Sequence, residues 1–395
     1  MPALAPRLGD RSSFPSLEAR AYLAHAAVSP PSSAVIAAVT SCLEAYAQRG
    51  IHAAIDQLAR RAEVRALAAR LLGCEARQVA FVQSTSAGVT AMARSIPFRR
   101  GERVLVFEGE FPANVTPWQL VARDLSLELV SLPLASFERS NEEGLAALRV
   151  ELERGVRLIA VSAVQFQTGL ALPVADMAAL CHAHGAELFV DAIQGLGVVP
   201  MDVRESGVDY LTAGGHKFLM GLEGAGLLYI RDSALAQLSL GLAGWTGHED
   251  AFRFLGEGPG QLRYDRSIVR SASFVEQGAL SVVGIAALGA ALETLLSLGV
   301  DSIFAHVNAY LDRLEPELVA QGCRSVRAAE AARRSATLSV RLPRGHAPAD
   351  VSRKLQAQGV CTSTPDGYLR FAPHFANSFD EVSFVASALR VALTT

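Results

Sequence analysis

Between about residue 60 and residue 232 the chain switches repeatedly between two hydrophobic periods. Short apolar runs occur at Val79–Gln83, Arg103–Gly109, Leu127–Pro133, Leu158–Val164, Glu187–Ala192, Tyr210–Gly214 and Ala225–Ile230. They are rich in Val, Ile, Leu and Phe, and most do not alternate with polar residues. Unbroken apolar runs of this length belong to strands covered on both faces, as in a mostly parallel sheet. Segments with helical spacing, Gly88–Ser95, Asn114–Leu125, Glu142–Arg154 and Val174–Ala183, fall between them. The alternation predicts a layered α/β domain, in which ligands bind beyond the carboxyl ends of the strands.

The pattern then changes. Gly241–Ser273 is rich in Gly and polar residues and predicts a long loop, of a length that is usually functional or disordered. Helical spacing resumes at Gly284–Leu298 and Ile303–Gln321 and returns at Ala349–Gln358 and from Phe379 onward. Strand-like runs lie at Thr337–Leu342 and Tyr368–Ala372. This order predicts a smaller α+β domain. The longest apolar run, Val282–Leu292, falls short of the roughly 20 residues that a membrane span needs. The first residues hold no apolar stretch of signal-peptide length.

Composition narrows the function classes. The chain has 395 residues, half of them hydrophobic, with a net charge of −3, so a large core is expected and no electrostatic field points to nucleic acid or a membrane surface. The five cysteines, Cys42, Cys74, Cys181, Cys323 and Cys361, are scattered and form no C-x-x-C. A disulfide framework is not expected, and a cytoplasmic location is. Cys181, His182 and His184 cluster without a complementary ligand pair, so no metal site is expected. No G-x-G-x-x-G occurs, which argues against a nucleotide-binding dehydrogenase.

The basic residues carry the strongest chemical signal. Lys and Arg total 36, yet only Lys217 and Lys354 are lysines. Arginine stays protonated, whereas a lysine in apolar surroundings can lose its proton and attack a carbonyl. Lys354 lies in an ordinary amphipathic pattern. Lys217 lies in TAGGHKFLMGLEGAGLLYI, between two predicted strands. Asp191 closes the apolar run ELFV, 26 residues earlier. A carboxylate for a pyridinium nitrogen and a lysine that forms an imine are the two protein groups that pyridoxal 5′-phosphate (PLP) requires. Ser84, Thr85 and Ser86 open a helix whose free N–H groups suit a phosphate. Phe111, after RVLVF, sits at a strand-to-helix turn where an aromatic face can cover a ring.

With these features in order, the chain resembles the class V aminotransferase family of fold-type I PLP enzymes, nearest to its cysteine desulfurase, selenocysteine lyase and isopenicillin N epimerase branches. The resemblance runs from YLAHAAVSP at Tyr22–Pro30 to YLRFAPHFAN at Tyr368–Asn377, with GGHKFLMGLEGAGLLYI and FVDAIQ as its most specific segments. It implies an α/β fold with a mostly parallel, seven-stranded large PLP-binding domain (30–285) and a smaller α+β domain (1–29 and 286–395). It also implies a homodimer with shared active sites.

By position, Lys217 is implied to form the imine with PLP and then to shuttle a proton. Asp191 is implied to keep the ring nitrogen protonated, Gln194 to bond the ring hydroxyl and Phe111 to stack on the ring. Thr85, Ser86, the N–H of Ala87 and His216 are implied to hold the phosphate. Arg370 is implied to receive a substrate carboxylate, with His25 and Trp245 beside the substrate. The chain departs from the desulfurase pattern in several places. Phe111 stands where a histidine is usual, Gly214 where a serine is usual, Ala279 where a threonine is usual and His25 where many relatives have Asn. Cys361 is the one candidate for a sulfur-accepting nucleophile. The expected reaction acts on an amino acid through an external aldimine, as C–S lysis or another β-elimination. Class V transamination and epimerisation or racemisation are the alternatives.

Overall fold

The computed structural model describes residues 5–394, so residues 1–4 of the first predicted segment and residue 395 of the last lie outside the described residues. Each of the seven apolar runs forms a strand. In chain order the strands are β1 (Ala21–Tyr22), β2 (Val79–Val82), β3 (Arg103–Phe107), β4 (Glu128–Leu132), β5 (Leu158–Ser162) and β6 (Glu187–Asp191). They continue as β7 (Tyr210–Gly214), β8 (Gly226–Ile230), β9 (Arg324–Ser325), β10 (Leu338–Arg341), β11 (Val360–Cys361) and β12 (Leu369–Phe371). The main sheet has the order β2-β8-β7-β6-β5-β3-β4. Only β8 runs antiparallel to its neighbours.

The apolar runs do not alternate because successive side chains enter two separate cores. Leu105 and Phe107 of β3 pack into one cluster, with Ile159, Val190 and Leu211. Val104 and Val106 pack into the other, with Leu158, Phe189 and Tyr210. Both faces of the sheet are therefore dry, as a parallel sheet between helical layers requires.

The crossover helix Val174–Ala183 has its predicted bounds and Asn141–Glu153 lies within a residue of them, whereas the first two start elsewhere than predicted. The first begins at Thr85 rather than Gly88, because Ser84 caps it by accepting the Ala87 N–H at 3.1 Å. The segment expected to be helical from Asn114 instead makes a short 3-10 turn, Pro112–Asn114, before the helix Thr116–Leu125.

Two long helices lie ahead of the alternating region, Ser33–Arg49 and Ile51–Leu72. They pack against Val282–Leu298, whose glycines permit close approach: a Cβ on Gly289 would stand 2.7 Å from Val64 Cγ2. Among the described residues no single helix is long and apolar enough to cross a membrane. Gly241–Ser273 holds short 3-10 turns at Trp245–Gly247 and Arg253–Leu255 and a single bridge, His248 to Ile268.

The C-terminal part forms an antiparallel sheet in the order β12-β10-β9. The start of the chain joins it, because β1 pairs in parallel with β11 and Ala24 bridges to Ala372.

Candidate active site

Six parallel strands send their carboxyl ends to one edge of the main sheet. The turns after β2, β3, β5, β6 and β7 carry Thr85–Ala87, Phe111, Phe166, Asp191–Gln194 and Lys217 to that edge.

Asp191 ends β6 and is buried. The Ile193 N–H donates to its Oδ1 at 2.9 Å, which leaves Oδ2 for another donor. Burial pushes this carboxyl up to about 6, with the Lys217 charge opposing the shift. Lys217 follows β7. Burial brings its amine down to about 8, opposed by the charge on Asp191 and assisted by that on Arg370. The amine thus loses its proton far more readily than an exposed lysine does. Its Nζ lies 5.5 Å from the centroid of the Phe111 ring. Phe111 in turn meets Phe166 edge-on, with centroids 5.3 Å apart.

The peptide that carries Lys217 is clamped by segments from both ends of the chain. The Ser29 N–H donates to the His216 carbonyl at 2.7 Å, and Ser29 Oγ donates to the Lys217 carbonyl at 2.7 Å. His25 Nδ1 lies 2.8 Å from that same Oγ. The hydroxyl proton is spent on Lys217, so His25 Nδ1 carries the proton and donates. His374 Nδ1 accepts the Phe375 N–H at 2.8 Å, so its Nε2 donates to the Phe218 carbonyl at 3.0 Å. Burial holds both imidazoles uncharged, His374 down at about 4 and His25 well below its ordinary range. Met220, in the same turn, has φ +58°, a left-handed conformation that a non-glycine residue adopts only under constraint from its surroundings.

An anion cradle lies beside this turn. The Ala87 N–H is occupied by Ser84 Oγ and the Gly88 N–H by the Ser84 carbonyl, so the N–H groups of Thr85 and Ser86 are the ones left at the helix start. Thr85 Oγ1 accepts the Gly214 N–H at 2.9 Å. A Cβ on Gly88 would stand 2.1 Å from Thr212 Oγ1, so only glycine lets the helix end sit this close to β7. A Cβ on Gly214 would stand 3.1 Å from His216 Cε1: the imidazole takes the space beside that position. Burial, then Lys217, lowers the pKa of His216.

Gln194 is buried, and its Nε2 donates to the Ala26 carbonyl at 3.1 Å, leaving its second N–H free. Arg370 is buried on β12. Its Nη1 donates to the Phe166 carbonyl at 2.6 Å and its Nε to Ser363 Oγ at 3.0 Å, so Nη2 remains for a ligand. Burial brings the guanidinium down to about 10.

Two expected site residues stand apart from this cluster. Trp245 is 46% exposed and packs edge-on against Phe252 at 5.1 Å. It lines an apolar groove with Tyr46, Ile51, Ile55 and Leu58, because its loop folds over the N-terminal helices. The aromatic neighbours of Trp245 are thus Phe252 and Phe254 of its own loop. Cys361 lies in β11, beside Tyr22 in the ladder, and is half-buried. Burial raises its thiol, which disfavours the thiolate that acts as nucleophile.

Sequence reasoning missed several residues. Ser29 and His374 act on backbone carbonyls nearly 190 and 160 residues away in sequence, a relation without a local signature. Glu110, next to Phe111, is half-buried and accepts from the Ser162 N–H at 2.6 Å and from Ser162 Oγ. Two acids just before a predicted ring-covering residue, in EGEF, were the available signal.

The arrangement fits PLP: an amine that readily becomes neutral, a buried carboxylate with an oxygen to spare, an aromatic face and an anion cradle at the start of an 11-residue helix. A family model for aminotransferase class-V matches residues 21–377. A cysteine desulfurase of Escherichia coli (strain SE11) is 30% identical over 310 residues, which cover 74% of this chain and 72% of that protein. An uncharacterised aminotransferase of Bacillus subtilis (strain 168) is 26% identical over 94% of both chains. Among solved structures, the cysteine desulfurase CsdA of Escherichia coli superimposes with a TM-score of 0.84 at 23% identity, over 97% of both chains. The cystine C–S lyase C-DES, in complex with its product cysteine persulfide, gives a TM-score of 0.84 at 19% identity, over 93% of this chain and 97% of that one. Likeness at these identities extends to the fold.

Proposed function

Because the chain belongs to the class-V aminotransferase family, we propose that it is a PLP-dependent, desulfurase-like lyase that breaks a C–S bond in an amino acid such as cysteine. The observation that carries the reading is the meeting of Lys217, Asp191 and Phe111 at the carboxyl ends of β7, β6 and β3, with the charge of Arg370 felt by the same amine. Relatives named as cysteine desulfurases support the reaction class. Bound PLP supplies an electron sink for the pair released when a bond at the substrate Cα breaks.

The rest falls to the chain's own residues. Lys217 would hold the cofactor through Nζ, and the same amine, brought down to about 8 by burial, would take the proton from the substrate Cα. Asp191 Oδ2, left unengaged by the Ile193 N–H, would keep a proton on the ring nitrogen. Gln194 offers its second N–H to the ring hydroxyl. The N–H groups of Thr85 and Ser86, with His216, bind the phosphate, and Ala87 contributes through the Ser84 cap that leaves those two groups free. Phe111 covers the ring, and Phe166 extends the apolar wall over the substrate. Arg370 Nη2 receives the substrate carboxylate, and His25 acts by holding Ser29 against the Lys217 carbonyl. Cys361, fixed in β11 with a raised thiol, favours direct release of sulfide over transfer to a protein sulfur.

The same proposal includes a homodimer. Ile51 is 70% exposed and Leu255 65%, on the groove that also holds Trp245. A second copy covering that groove would bury Trp245 and the adjacent Ala279. The division into a large domain of 30–285 and a small domain from the two ends, and a cytoplasmic location with all five cysteines free, belong to the reading as well.

The test is a visible absorbance spectrum of the purified protein with PLP, for wild type and Lys217→Ala, followed by incubation with cysteine. Wild type develops a visible band that the variant lacks, and it releases sulfide. A colourless wild type sinks the PLP reading. Amino transfer to a keto acid without sulfide moves the reaction to transamination. Sulfide release that survives Cys361→Ala supports direct lysis, and its loss in that variant supports sulfur transfer.

A further inference from the structure

Glu110 lies in the turn after β3, one residue before Phe111. Its carboxyl is held from three sides. Ser162, at the end of β5, gives it both its N–H, at 2.6 Å, and its Oγ–H. Asn114 Nδ2 donates to its Oε2 at 3.3 Å, and the amide of Asn114 is oriented in turn by Trp118 Nε1, which donates to Asn114 Oδ1 at 3.3 Å. The turn is tied down a second time, because Gln165 Nε2 donates to the Gly109 carbonyl at 2.6 Å. Ser162 is the ladder partner of Asp191 on β6. The Glu110 carboxyl therefore stands one strand away from Asp191, the charged group that faces it.

We propose that Glu110 is a positioning residue with two coupled effects. It locks the Phe111 turn against the end of β5, and it sets a second acid beside Asp191 that strengthens that aspartate's hold on the proton of a bound ring nitrogen. The inference rests on the PLP reading and extends it to a residue outside the cofactor's own contacts. Physically, an ionised Glu110 adds negative potential at Asp191. Negative potential favours a cation paired with Asp191, and with it the protonated ring. The group is also poised to change charge in the working range: burial, with the Asp191 charge acting in the same direction, pushes its carboxyl up to about 7 against the hydrogen bonds from Ser162 and Asn114. Above that pH the second charge is present; below it the charge is gone.

The experiment loads wild type, Glu110→Gln and Ser162→Ala with PLP carrying 15N in its ring and follows the ring-nitrogen NMR shift against pH. The Gln variant keeps the size and hydrogen-bonding reach of the side chain but cannot ionise. The ring proton is expected to leave at a pH lower by about one unit than in wild type. Ser162→Ala retains the carboxyl and removes one of its donors, so a smaller shift in the same direction is expected, and this variant carries the test if Glu110→Gln does not fold. A ring-nitrogen titration that tracks wild type in both variants, or moves to higher pH, overturns the inference and leaves Glu110 a packing residue. A wild type that binds no labelled PLP overturns the underlying reading instead.

Discussion

The depressed pKa of Lys217 predicts that the catalytic amine destabilises the PLP-free protein. The folded value of about 8 lies below the ordinary 10.5, because burial penalises the charged form. Between those two pH values the unfolded chain holds a proton that the folded chain lacks. Stability therefore rises with pH across the window from 8 to 10.5 and is lowest below it. At about 1.4 kcal/mol per pH unit the deficit near pH 7 is about 3 kcal/mol. Lys217→Met keeps the apolar stem and removes the charge. The attraction of Asp191 for the charged amine is already contained in the value of about 8, so the PLP-free variant is expected to exceed wild type by about 3 kcal/mol near pH 7. The difference is expected to fade as pH passes 10.5, where lysine is neutral in both states. The assay is equilibrium chemical unfolding of both PLP-free proteins across that range. A variant no more stable than wild type at neutral pH, or a difference that stays constant with pH, refutes the reasoning.

Three further outcomes are expected. Arg370→Lys removes the planar fork that spans the Phe166 carbonyl and Ser363 Oγ and that is proposed to receive the substrate carboxylate, so KM for the amino acid is expected to rise about tenfold or more while the PLP absorbance stays as in wild type. Gly88→Ala puts a methyl 2.1 Å from Thr212 Oγ1. It is expected to cost about 1–3 kcal/mol in unfolding measurements and to weaken PLP in a cofactor titration, because the helix end must shift. His374→Phe keeps an aromatic ring but leaves the Phe218 carbonyl and the Phe375 N–H unpaired in the core. It is expected to lower the unfolding free energy by about 2–5 kcal/mol and to speed PLP loss on dialysis.

Much of the architecture could be read from the sequence because its causes are local. A strand buried on both faces must be largely apolar, so the inner strands of the main sheet stand out as unbroken runs, whereas the edge strand β4 is partly exposed and carries Glu128 and Ser131. Asp191 and Lys217 are equally visible: a carboxylate closing such a run and a lysine in an arginine-rich chain have few other uses. The helix start at Ser84–Ser86 is marked by its capping serine.

Tertiary structure decided what depends on residues distant in sequence. It placed β8 between β2 and β7, joined the first residues of the chain to β11, and set Ser29 and His374 on the carbonyls around Lys217. It laid Trp245 along an exposed groove over the N-terminal helices, and it paired Cys361 with Tyr22 of β1. It spent the Ala87 N–H on a helix cap, and it bound Glu110 to Ser162, the ladder partner of Asp191. The physical reason is the same in each case. Periodicity and capping follow from the covalent neighbours of a residue, whereas burial, pKa and hydrogen-bond partnership follow from whatever the folded chain brings to its side.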